Sequence, residues 1–100
     1  MPRRHYLITY DIASGPDGDK RRTRLFNLLE GEGDHAQFSV FFCDLSPAEL
    51  ANLRARTTQI IHEREDQILI LDLGPAERSL DQNLEVVGKP YAPLTRVLVV

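Results

Sequence analysis

Apolar and polar positions alternate over residues 5–11. Tyr6, Ile8 and Tyr10 fall on one side and Leu7 and Thr9 on the other, the period of a strand. Residues 12–18 hold Gly15, Pro16 and Gly18 and read as a loop. Asp19 is a suitable N-cap for a helix reaching about Glu30, with Leu25, Leu28 and Leu29 on one stripe and Gly31 and Gly33 ending it. Residues 35–45 are extended and apolar on both faces, so one bent strand and a tight hairpin fit equally well. Ser46, Pro47 and Glu49 form a capping-box start for a second helix, in which Leu50, Leu53, Thr57, Ile60 and Ile61 repeat at helical spacing as far as about His62. A strand is expected over 67–73, an irregular connection over 74–93, and a final apolar strand over 94–100.

With the hairpin, the elements before the tail run β-α-β-β-α-β, the α+β ferredoxin-like order, followed by an additional C-terminal strand. That order describes a single domain, with its core in about residues 1–73 and residues 74–100 left for dimer contacts. Both helices of such a fold cover the same sheet face. Yet Leu69, Leu71 and Leu73 would stand on the face opposite Ile68 and Ile70, leaving an apolar surface too large for a lone monomer. The chain's own tail could fold over it. A second copy, sheet facing sheet, is the favoured cover, and a terminal strand on a long tether suits pairing with that partner's edge.

Composition adds limits. One hundred residues leave no room for two independent cores, and 27% charged residues argue against a disordered chain. The lone Cys43 excludes an intrachain disulfide and a cysteine-only zinc site, and fits a reducing cytoplasm. Asp11 interrupts the short apolar run near the start, so neither a signal peptide nor a membrane span is expected. A net charge of -3 argues weakly against nucleic-acid binding, but the average conceals an asymmetry. Residues 1–25 carry six Lys/Arg against three acids, whereas the other 75 carry six against twelve. A polyanion would dock on the N-terminal quarter.

Two features carry candidate chemistry. Asp11 closes a strand beside a glycine-containing loop, where a carboxylate suits Mg²⁺, although the same residue could simply cap its own loop. One carboxylate is thin for such a site, and a two-fold dimer would bring two to one axis. Lys20, Arg21, Arg22 and Arg24 crowd the opening turns of a helix, where the macrodipole disfavours cations. They form either a solvated face or a phosphate-binding patch that joins the free amides of the helix start. His5, His35 and His62 show no metal-ligand spacing, Ser39 and Ser46 sit in no nucleophile motif, and Cys43 reads as core. Phe38, Phe41 and Phe42 could stack on bases as in RNA-binding sheets, but core packing is the favoured use.

Together these strings resemble a known family. Tyr6-Leu-Ile-Thr-Tyr-Asp-Ile12, Lys20-Arg-Arg-Thr-Arg-Leu25 and Gln37-Phe-Ser-Val-Phe41 are similar to motifs of the Cas-two family, the small CRISPR-associated protein of spacer acquisition. Cys43-Asp-Leu-Ser46 and a Gly-Lys-Pro tail before a Val-rich end extend the likeness over nearly the whole chain. The resemblance implies a homodimer whose last strand pairs with the neighbouring subunit. It implies Asp11 as the Mg²⁺-binding residue, shared across the dimer axis, in a phosphodiesterase site. Arg22 and Arg24 match the family's basic positions, with Tyr10, Ser39 and Phe41 as supporting candidates from the same motifs. Two functions follow: a non-catalytic bridge holding the Cas-one integrase and spacer DNA, or a metal-dependent endonuclease cutting RNA or DNA. A ferredoxin-like regulatory domain binding a small ligand is the reading outside the family.

Overall fold

The computed structural model describes residues 2–90. Its elements are β1 (Arg4–Asp11), α1 (Pro16–Glu32), β2 (Asp34–Gln37), β3 (Val40–Leu45), α2 (Pro47–Ile60) and β4 (Gln67–Pro75), then a 3-10 turn at Leu80–Gln82. The strands form one antiparallel sheet in the order β2-β3-β1-β4. This is the ferredoxin-like arrangement. The strand expected over 94–100 lies outside the described residues.

Alternation along β1 decides the packing. Tyr6, Ile8 and Tyr10 are buried with Phe41, Cys43 and Leu45 of β3 against Leu25, Leu28 and Leu29 of α1 and Leu53 of α2. Register places Ile8 between Phe41 and Ile70, so one row of large side chains crosses three strands. Residues 35–45 are the hairpin, closed by a two-residue turn at Phe38 and Ser39. The capping box of α2 is present: Ser46 Oγ accepts from the Glu49 amide at 3.1 Å, and Glu49 accepts from the Ser46 amide at 2.8 Å.

The start of α1 departs from expectation. Asp19 is not the N-cap. The helix begins at Pro16, after Gly15 at φ 113°, and the Asp19 amide makes the first helical bond to the Gly15 carbonyl at 2.8 Å. Proline presets the first helical position, and glycine alone turns easily into that φ. Gly18 packs so tightly beneath the preceding loop that a Cβ there would overlap the Ala13 carbonyl oxygen. Residues 16–18 of the expected loop are therefore helix, and Gly31 lies inside it, with Gly33 as C-cap.

The face away from the helices is apolar. Leu7 stands between Phe42 and Leu71 in register, and Leu69 and Leu71 are 54% and 56% exposed. The tail covers part of it: Leu84, Val86 and Val87 share a hollow with Leu7, Val40 and Phe42. The β4 side stays open. No helix among the described residues is long and apolar enough to cross a membrane.

Candidate metal and nucleic-acid site

Asp11 ends β1 with an exposed side chain, opposite Gln67. It makes no hydrogen bond or ion pair with any described residue. The amide it could have capped, that of Ala13, instead donates to Asp66 Oδ1 at 3.0 Å. Asp66 also accepts from the His62 amide (2.8 Å) and from Arg21 Nε (2.7 Å) and Nη2 (3.2 Å), and its side chain is 0% exposed. The Arg21 guanidinium, and then those backbone amides, hold the Asp66 carboxyl far below the usual carboxylate range against the opposing effect of burial. Asp66 thus ties the loop after β1, helix α1 and the loop before β4 together. Because it fixes the loop, Asp11 is left uncommitted.

Asp11 opens onto a groove of about 590 Å³ bordered by Tyr10, Arg22, Thr23, Phe38 and Ser39. Arg22 is held there by Asp19 (2.7 Å) and the Ile12 carbonyl (3.1 Å), a fixed cation on the rim. Burial raises the Tyr10 phenol above its ordinary pKa, opposed by Arg22, so at neutral pH it is a neutral donor. Ser39 Oγ lies 3.1 Å from Thr9 Oγ1 and anchors the hairpin turn to β1. Phe41, at 0% exposure, does not reach the groove; it stacks on Tyr10 at 6.3 Å and supports it from below.

The N-terminal cations divide into two groups. Arg3 pairs with Asp44 and Glu49, Arg4 with Asp72, Arg21 with Asp66 and Glu65, and Arg22 with Asp19. Lys20 and Arg24 are exposed, have no such partner among the described residues, and flank a shallow hollow that shares Thr23 with the Asp11 groove. If this hollow meets a nucleic-acid backbone, changing Lys20 and Arg24 together to Gln weakens the contact regardless of sequence and reduces the slope of log K against log salt by about two per chain. Fluorescence anisotropy across a salt series measures this.

The other sequence candidates are placed away from chemistry. His5 donates to the Arg78 carbonyl at 2.8 Å, His35 to the Phe38 carbonyl at 2.6 Å, and His62 lies 3.6 Å from Glu65. Burial, then Glu32 and Asp34, push the Cys43 thiol up to about 11, leaving it neutral. Among the described residues no three His, Cys, Asp or Glu side chains gather as a metal cluster. Sequence reasoning missed Asp66, and it assigned Phe38 to core packing, whereas the ring is 94% exposed. Asp66 is one acid in a polar loop, and its partners are 45 and 53 residues away. Phe38 lies in a run apolar on both faces, which hid the turn that exposes it.

A ferredoxin-like sheet thus carries, at the end of its first strand, a carboxylate that bonds to no described residue, in a groove that Arg22 also borders. The chain belongs to the family of CRISPR associated protein Cas2, whose model matches residues 4–79. It is 36% identical over 95 residues to the CRISPR-associated endoribonuclease Cas2 of Geobacter sulfurreducens, covering 95% of both chains. It is 41% identical over 87 residues to a CRISPR-associated endoribonuclease Cas2 of Synechocystis, covering 85% of this chain and 93% of that one. The crystal structure of Streptococcus pyogenes Cas2 superposes with a TM-score of 0.74 at 35% identity, over 84% of this chain and 99% of that one.

Proposed function

We propose that this protein serves CRISPR adaptation in the cytoplasm as a homodimer bridging the Cas-one integrase and spacer DNA. The observation that carries this reading is the row of Arg22, Lys20 and Arg24 along the groove and the hollow beside it, with Asp11 the one acid among the described residues lining that groove. Such a surface grips a nucleic-acid backbone without requiring cleavage. A second reading, Mg²⁺-dependent endonuclease, is supported by the word endoribonuclease in the names of the Geobacter and Synechocystis relatives. RNA and DNA both suit the groove chemically.

The donor set fits Mg²⁺ only in a dimer. The ion takes one or two carboxylates plus substrate phosphates, and Asp11 is a hard oxygen donor with no competing partner among the described residues. A two-fold axis near the end of β1 would add the second Asp11. Bound there, Mg²⁺ would polarise a phosphate oxygen and lower the pKa of a water. The chain's own contributions are positional. Arg22, with Lys20 and Arg24 that pair with no acid among the described residues, would hold phosphate, Tyr10 offers a neutral phenol, and Ser39 fixes the turn.

The open half of the sheet supports the homodimer. Leu69 and Leu71 present apolar surface that a second copy would cover. Leu71→Glu should leave the monomer folded, since the side chain is already half exposed, and convert a dimer into an 11.4 kDa species in light scattering. A variant that remains dimeric would place the interface elsewhere. Co-purification of the wild-type dimer, but not this variant, with the cognate integrase tests the bridge itself.

A further inference from the structure

Phe38 is 94% exposed, and at φ 35° it is the one non-glycine residue with positive φ among those described. Bulky side chains avoid that region, and the first position of such a two-residue hairpin turn normally takes Gly or Asn. The conformation is held from both sides: His35 Nε2 donates to the Phe38 carbonyl at 2.6 Å, and Ser39 is anchored to Thr9. An exposed aromatic ring in a strained turn costs stability and solubility, and strain of this kind persists where a site uses it. The ring borders the same groove as Asp11 and Arg22.

We propose that Phe38 is a stacking platform for an unpaired base of the nucleic acid whose phosphate lies in the Asp11 groove. This rests on the nucleic-acid reading above and narrows it to a strand with at least one unstacked base. Every base has a π-face, so a single ring on a fixed turn binds without regard to sequence. A duplex keeps its bases stacked and offers the ring nothing, whereas its phosphates still meet Lys20, Arg22 and Arg24. The ring is a positioning residue: it would set which phosphate of the strand sits at Asp11.

The test uses the full chain with a mixed-sequence single-stranded oligodeoxynucleotide carrying 2-aminopurine and a duplex of equal length. Phe38→Ala and Phe38→Asn should weaken single-strand binding about tenfold, abolish 2-aminopurine quenching, and leave duplex binding unchanged. Phe38→Tyr should keep both signals. Phe38→Asn should also raise Tm, because Asn tolerates positive φ, which shows that binding was not lost through unfolding. Unchanged single-strand affinity in Phe38→Ala, or equal losses on both probes, would overturn the assignment while leaving the backbone-binding reading intact. Wild-type protein that binds neither probe at low salt would overturn both.

Discussion

Asp66→Ala should lower folding stability by about 3 kcal/mol, or roughly 15 °C in Tm for a domain of this size. The side chain is wholly buried and Arg21 only 17% exposed, so the change strands a guanidinium and the amides of Ala13 and His62 without an acceptor. Asp66→Asn keeps the volume but turns an NH₂ group towards donors, and should be nearly as costly. The pH dependence has a definite sign. The folded carboxyl is depressed, so its stabilisation is complete above the unfolded value of about 3.9 and is lost as pH falls through that range towards the lower folded value. Thermal melts between pH 6 and pH 2 should show a steep acid limb in the wild type and a flatter one in Asp66→Asn. Equal limbs would show that Asp66 is not the acid-sensitive tie. Because Asp66 fixes the loop after β1, both variants should also blunt whatever Asp11 does, at temperatures where they remain folded.

Asp11→Asn should have the opposite profile. The side chain is exposed and bonds to no described residue, so stability should stay within about 0.5 kcal/mol. If the proposed dimer brings the two Asp11 carboxylates face to face they repel, and removing them should leave dimerisation unimpaired or slightly tightened. Any Mg²⁺-dependent cleavage should fall by about 100-fold or more, because the metal's charge stabilisation is worth several kcal/mol. Cleavage that survives the substitution, or survives EDTA, does not come from this groove.

The contrast between these two acids shows what the chain discloses before folding. Ser46, Pro47 and Glu49 announce α2 because the capping box is made within four residues. The alternation through Tyr6, Ile8 and Tyr10 fixes both the strand and its buried face. Asp11 stands out because it ends that alternation. Asp66 does not, because its role exists only once α1 and the loop after β1 come to it. Similarly, Arg21 and Arg22 look alike in the run Lys20-Arg-Arg, yet one faces Asp66 and the other the groove, a helical-phase difference that only packing settles. The helix start misled because Asp19 has the right side chain for a cap, while Gly15 and Pro16 begin the helix by backbone geometry alone. In residues 35–45 the apolar side chains occupy both faces, which erases the period, and the turn carries Phe38 where a glycine would have marked it.

The most direct test of the bridge is integration of a spacer duplex by the cognate Cas-one integrase, supplied with either wild-type protein or Asp11→Asn and run beside a Mg²⁺-dependent cleavage assay. With binding energy altered by no more than about 0.5 kcal/mol, integration should stay within about twofold of wild type, while cleavage falls to background. Loss of integration in step with cleavage, with the dimer and its DNA affinity intact, would contradict the bridge and make the Asp11 carboxylates the working centre of the protein.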